Sequence, residues 1–143
     1  MALFQTIVDI DAPPDTVWPI IRDVERWHDW TRSITSVKLL GGRPFAVGTR
    51  ALVRQPKLPP AFWVVTEVEP HGFTWISRGP GLTATGRHYV VPRGAGSRVT
   101  LSLEYEGLFA GLMAWMAGGI TARYIGYEAE GLKRRAESLR TRT

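Results

Sequence analysis

The stretch LFAGLMAWMAGGITARYIGYEAEGLKRRAESL, residues 108–139, decides the fold. It reads as one long helix. Its start is uncharged and crowded with Leu, Met, Trp and Ile; past Arg123 it becomes amphipathic and it ends among Arg and Lys. At about 1.5 Å per residue such a rod is about 45–50 Å long. A chain of 143 residues has no room for a second domain to cover it. The helix must therefore pack on what precedes it, and that part reads as antiparallel sheet interrupted by helix. The expected architecture is α+β, one domain over residues 1–143. About seven antiparallel strands wrap the C-terminal helix, with two short helices between the first and second strands and a pocket between sheet and helix.

On a wheel of about 100° per residue, Thr121, Ile125, Ala129, Leu132, Ala136 and Leu139 share one arc, the face for the sheet. Carried back toward the N-terminus, that arc holds only the small Ala114 and Gly118, which leave space rather than fill it. Leu112, Met116, Ile120 and Tyr127 lie on another face and need a different cover: a loop, a second subunit or a membrane surface.

Upstream, Phe4–Ile10 opens as a strand, and Ala12-Pro13-Pro14-Asp15 looks like a helix start, where a missing N–H costs nothing. The helix Asp15–Asp23 contains Pro19, which removes a hydrogen bond and predicts a bend or a short first turn. A second short helix, Val24–Trp30, carries Trp27 and Trp30 three apart on one face. From Ile34 the period changes to two, with strands at Ser36–Leu40, Thr49–Gln55, Phe62–Glu69 and Phe73–Arg78 separated by Gly and Pro turns. Leu82–Val91 then pairs with Arg98–Glu106 across Pro92–Gly96, a hairpin pattern. Here Val99, Leu101, Leu103 and Tyr105 alternate with Thr100, Ser102, Glu104 and Glu106, one face covered and the other wet.

Composition narrows the chemistry. Without cysteine there are no disulfides, thiolate nucleophiles or Cys-ligated zinc. The first eleven residues lack the basic start and apolar run of a signal peptide, and with the absence of cysteine this suits a cytoplasmic protein. The uncharged run Gly107–Ala122 is shorter than the roughly 20 residues of a spanning helix. Net charge is +5, concentrated at Lys133, Arg134, Arg135, Arg140 and Arg142. Cations there offset the free carbonyls of a helix end, and no nucleic-acid motif accompanies them. His28, His71 and His88 lie far apart with no metal-ligand spacing, so no metal is expected. No nucleophile elbow or phosphate-cradling loop is present, so no cofactor is expected either. His28 and Asp29 are adjacent on a helix, point apart and make no dyad.

The order of strand, two short helices, six strands and long helix resembles the START-like, helix-grip (SRPBCC) superfamily, in its polyketide cyclase/dehydrase and lipid-transport branch. The residues carrying the likeness include Ile10-Asp11-Ala12-Pro13-Pro14-Asp15-Thr16-Val17-Trp18, Trp27…Trp30 and Val47-Gly48-Thr49. With them go Glu67-Val68-Glu69-Pro70, Phe73-Thr74-Trp75, the hairpin Gly86…Thr100 and Glu128–Lys133. The likeness spans nearly the whole chain; Pro19 departs from it. It is specific for fold and weak for activity, since one scaffold hosts cyclases, carriers and binders.

Matching the hairpin to the family pattern turns His88 and Val90 toward the pocket with Val99 and Leu101. The expected ligand-binding set is Trp75, His88, Val90, Leu101, Leu103, Tyr105, Gly118, Thr121 and Ile125. His88 is the candidate catalytic residue, because a histidine in an apolar cavity can move a proton near neutral pH. It can equally orient a ligand or be a satisfied core residue, and the residues leave all three open. Glu128, at the edge of the inward arc, is a second candidate, weighed against a surface carboxylate. The resemblance implies a small hydrophobic, polyketide- or lipid-like ligand, with or without cyclase/dehydratase activity. The alternative is a lipid or quinone carrier that docks on membranes. The partners expected are that ligand, peripheral membrane contact, no nucleic acid, and a monomer or homodimer.

Overall fold

The first strand shows why the sheet has one covered face. The computed structural model describes residues 2–42 and 44–140. In it β1 (Ala2–Ile10) turns Phe4, Thr6, Val8 and Ile10 toward the core and Leu3, Gln5, Ile7 and Asp9 away, as period-two geometry requires. Then come α1 (Pro14–Arg22) and a 3₁₀ helix (Val24–Asp29). The strands β2 (Ser36–Leu40), β3 (Arg50–Arg54), β4 (Ala61–Glu69), β5 (Gly72–Gly79), β6 (Leu82–Arg93) and β7 (Gly96–Glu106) follow, and α2 (Ala110–Arg140) closes the chain. The seven strands run antiparallel in the order β1-β7-β6-β5-β4-β3-β2. This is the expected α+β helix-grip architecture. Arg142 and the side chain of Arg140 lie outside the described residues.

Register puts the inward residues in rows. Leu101 stands opposite Thr6 on one side and His88 on the other, and Leu103 opposite Phe4 and Gly86. Phe73 pairs with His88, and Trp75 with Gly86 and Val65. A bulge between Val65 and Glu67 breaks the pairing of β4 with β5. The β6–β7 hairpin is tighter than the sequence suggests: Arg93 pairs with Gly96, leaving a two-residue turn in which Gly94 has φ 58°. Left-handed backbone of this kind suits glycine.

The face of β6 and β7 expected to be wet is only partly so. Glu104 is buried, because Arg87 on the neighbouring strand lies against it with Nη1 2.9 Å from Oε1. Pro19 does not break α1: it sits on the exposed side, and the helix runs one turn further, where the Asp23 N–H donates to the Pro19 carbonyl. His28 and Asp29 also depart from expectation. On a 3₁₀ turn their side chains meet at 3.2 Å, both well exposed.

At 31 residues α2 is about 46 Å long. It lies chiefly on β1 and β7, with α1 beside it. The arc read from the sequence is the covered one: Thr121, Ile125, Ala129, Leu132 and Ala136 are buried and Leu139 is half-buried. Full burial of a side chain such as Leu132 or Phe73 contributes about 1.5–3 kcal/mol. Gly131 belongs to the same contact, since a Cβ there would strike the Trp30 carbonyl. Near the C-terminal end, Lys133 Nζ donates to the Asp9 carbonyl at 2.9 Å and to Glu137 Oε2, which also accepts from the Asp11 N–H at 2.8 Å. Part of the basic tail therefore ties α2 to the end of β1.

Gly118 does not leave the space expected of it. The ring of Phe4 fills the place, with Cζ 3.3 Å from where a Cβ would stand. The open volume lies further along α2 and toward β5 and β6.

Candidate functional site

A cavity of about 440 Å³ lies between the inner face of the sheet and the middle of α2. Its floor is Trp75, Gly86, His88, Leu101, Leu103 and Tyr105 from β5, β6 and β7. The roof is Thr121, Tyr124, Ile125 and Glu128, spaced along successive turns of α2. Trp27 of the 3₁₀ helix and Trp63 of β4 complete the walls, and the exposed Pro59, Pro60, Phe62 and Arg78 mark the mouth. Gly86 is needed here for close approach. A Cβ on it would lie 2.9 Å from Trp75 Nε1 and 3.6 Å from His88 Cε1.

Of the residues expected from sequence, Trp75, His88, Leu101, Leu103, Tyr105, Thr121 and Ile125 line this cavity. Val90 and Gly118 do not. Val90 faces inward but is buried beyond the cavity's end, where α1 packs over β6 and β7 and Ser97 Oγ donates to the Ala12 carbonyl. Gly118 backs onto Phe4. Trp63 is outside the expected set, although alternation along Ala61-Phe62-Trp63-Val64-Val65 turns it the same way as Val65. Trp27 and the mouth residues carry no such signal, because strand parity does not orient a short helix or a loop.

The inner aromatic rings hold one another. Trp63 and Trp75 have centroids 5.5 Å apart, and Trp27 lies 5.4 Å from Trp75 and 5.3 Å from His88. The His88 imidazole stacks on Phe73 at 4.3 Å. Its Nδ1 is 3.4 Å from the Phe73 carbonyl, which can only accept, so Nδ1 carries the proton and Nε2 the lone pair. Burial lowers the His88 pKa to about 4, against the smaller opposing effect of that hydrogen bond. The ring is thus neutral at pH 7.

Glu128 is the reverse case. Burial alone raises its pKa to about 8, and it has no hydrogen-bond or ion-pair partner among the described residues. It faces the cavity as a neutral carboxylic acid at pH 7, a donor where His88 is an acceptor. Tyr105 Oη and Thr121 Oγ1 satisfy each other at 2.9 Å across the gap between floor and roof. Burial moves the Tyr105 hydroxyl upward, the bond to Thr121 opposing it. His71, by contrast, pairs with Asp15 near the surface. No cluster of three metal-ligating side chains occurs among the described residues, and none of their helices is long and apolar enough to cross a membrane.

Comparison with known proteins agrees with this architecture. The family model described as polyketide cyclase/dehydrase and lipid transport matches residues 1–137. No curated protein matches the chain. Among solved structures it is similar to a START superfamily protein from Mycobacterium smegmatis, at 19% identity and TM-score 0.75 over 96% of this chain and 98% of that one. A protein from Thermus thermophilus gives 20% and 0.75 over 96% and 99%. A norcoclaurine synthase point mutant from Thalictrum, solved with a transition-state analogue, gives 15% and 0.72 over 99% and 96%. These likenesses establish the fold.

Proposed function

We propose, because this chain belongs to the polyketide cyclase/dehydrase and lipid-transport family, that it holds a small polyketide- or lipid-like molecule in the cavity under α2. Family and fold support a hydrophobic-ligand-binding domain of the START type. The observation that carries the finer reading is the cavity itself: about 440 Å³, walled by Trp27, Trp63, Trp75 and Leu101 and holding only a few polar groups. That combination of apolar bulk and sparse polar points is the usual form of a ligand site. Native mass spectrometry tests it. The expected result is a retained adduct of a few hundred daltons, or saturable uptake of the probe 1-anilinonaphthalene-8-sulfonate that quenches tryptophan emission. An apo mass with no probe uptake overturns it.

A proton donor and a proton acceptor lining the cavity support cyclase or dehydratase chemistry as part of this reading. Dehydration of a β-hydroxy carbonyl compound needs a proton taken from carbon and one given to the departing hydroxyl. Glu128 is a donor in its neutral form, and His88 Nε2 is an acceptor, weak as a base because burial disfavours its cation. His88→Ala is the discriminating change: unchanged turnover of an accepted substrate removes His88 from the chemistry.

A second reading, a carrier that unloads at membranes, is favoured by one feature. Leu108, Leu112, Trp115 and Met116 stand 85%, 51%, 83% and 70% exposed at and just before the first turns of α2, beside Met113, which lines the cavity. Apolar side chains of this size on a basic protein suit an interfacial anchor. Flotation with anionic vesicles at low salt, where attraction is greatest, is expected to carry the protein up. Trp115→Ser with Met116→Ser is expected to leave it at the bottom. A dimeric mass in solution would instead give this surface to a second copy of the chain.

A further inference from the structure

Two unpartnered groups stand side by side at the inner end of the cavity. Trp75 is 4% exposed, and its Nε1 has no hydrogen-bond acceptor among the described residues, yet the atom keeps surface on the cavity and is not shut away. Trp27, in the same aromatic cluster, spends its Nε1–H on the Ile21 carbonyl at 2.9 Å. Trp30 Nε1 also lacks a partner, but it is sealed off from the cavity. Buried indole N–H groups ordinarily find a partner, so the donor on Trp75 is open to one that enters the cavity. His88 supplies the complement. With Nδ1–H given to the Phe73 carbonyl, Nε2 is a lone-pair acceptor, also without a partner among the described residues. Trp75 Nε1 lies 2.9 Å, and His88 Cε1, the ring carbon bonded to Nε2, 3.6 Å from where a Cβ on Gly86 would stand, and the two rings meet edge to face with centroids 5.8 Å apart. Stacking on Phe73 fixes the imidazole plane.

We infer that Trp75 Nε1–H and His88 Nε2 form a donor–acceptor pair that receives a ligand hydroxyl, of a phenol or an enol, at the inner end of the cavity. The inference rests on the proposed reading of the cavity as the ligand site and adds the group by which the ligand is oriented. A hydroxyl is the smallest group that answers both demands, accepting from Trp75 through its oxygen and donating to His88 through its proton. A ketone or ether accepts from Trp75 but leaves Nε2 unpaired. A carboxylate has no proton for Nε2, and the neutral imidazole offers it no charge. An ammonium has no lone pair for Trp75. The aromatic setting selects further: Trp27, Trp63 and Trp75 offer ring faces and edges, which favour a flat hydroxylated ring over a flexible chain.

The test uses three probes of nearly one shape: naphthalene, 2-naphthol and 2-methoxynaphthalene. Each displaces 1-anilinonaphthalene-8-sulfonate from the intact protein, read by fluorescence near neutral pH. The wild-type protein is expected to bind 2-naphthol about tenfold tighter than 2-methoxynaphthalene, whose ether oxygen still accepts from Trp75 but leaves the buried His88 Nε2 unpaired. His88→Phe is expected to bring that ratio close to one, whereas Trp75→Phe is expected to weaken 2-naphthol and 2-methoxynaphthalene together relative to naphthalene. A measurement on the wild type removes dependence on how the variants fold. In the ¹⁵N–¹H spectrum, the Trp75 indole resonance is expected to move downfield with 2-naphthol and not with naphthalene. Equal affinity for 2-naphthol and 2-methoxynaphthalene, with the indole resonance unmoved, overturns the inference while leaving the cavity a ligand site. If none of the three probes displaces the dye, the inference and the reading of the cavity fall together.

Discussion

Two residues on opposite walls of the cavity titrate in opposite senses, and this sets how stability depends on pH. Folding holds His88 neutral, lowering its pKa from 6.5 to about 4. Between those values the unfolded chain binds a proton that the folded chain refuses, so acidification through this window destabilises. Folding holds Glu128 protonated, raising its pKa from 4.5 to about 8. Between those values the unfolded chain has lost a proton that the folded chain keeps, so raising the pH destabilises. The two slopes oppose each other from about 4.5 to 6.5, and from there to about 8 only the Glu128 loss continues. Glu128→Gln is therefore expected to gain stability over wild type as pH rises, the gap growing to about 2–4 kcal/mol near pH 8. Urea denaturation at about pH 5, 7 and 8.5 measures it, and a gap independent of pH would show that the carboxyl is not held protonated. His88 was legible through the hairpin's resemblance to the family pattern, which turns it toward the pocket with Val99 and Leu101. The sequence left Glu128 between cavity and surface, because a residue at the edge of a helical arc is decided by how the sheet curves beneath it.

At the scale of the element, α2 carries an internal experiment on what its glycines do. Glycine inside a helix costs about 1 kcal/mol relative to alanine. Gly119 is exposed and a Cβ there would meet nothing within 4 Å, so Gly119→Ala is expected to stabilise by about 0.5–1 kcal/mol. Gly131 has the same intrinsic propensity and the opposite surroundings. Its absent side chain is where the Trp30 carbonyl sits, and a backbone atom cannot rotate away. Gly131→Ala is expected to destabilise by about 2–4 kcal/mol, through displacement of the helix from the 3₁₀ segment. Thermal melts of the two variants give shifts of opposite sign; a Gly131→Ala melt raised like that of Gly119→Ala would mean that α2 does not depend on that contact. The helix itself was legible from 3.6-residue periodicity. The division of labour among its glycines was not, since periodicity places Gly118 and Gly131 on faces without saying that Phe4 or a distant carbonyl occupies the space.

For the whole molecule, the order of elements was legible because each carries its own local signal: period two, proline at a helix start, glycine at turns. The cavity was legible only as a consequence of a long helix over a curved sheet, and its position was not. The sequence pointed under Gly118, whereas Phe4 fills the place there and Trp27, Trp63 and Trp75 wall the space further on. An internal space of this size forgoes packing that a stable core would use, so filling it separates function from stability. Ser77 lines the cavity from β5, half-buried, with no side-chain hydrogen bond among the described residues. Ser77→Leu places apolar volume in that space without crowding a filled one, and is expected to stabilise by about 0.5–1.5 kcal/mol. The same change is expected to weaken uptake of 1-anilinonaphthalene-8-sulfonate by about tenfold, the scale of 1.4 kcal/mol in binding. Denaturation and dye titration on one sample read both quantities. Gain in stability with loss of uptake is the signature of a cavity kept open for an occupant. A variant that still takes up the dye at wild-type affinity would place the dye's site elsewhere.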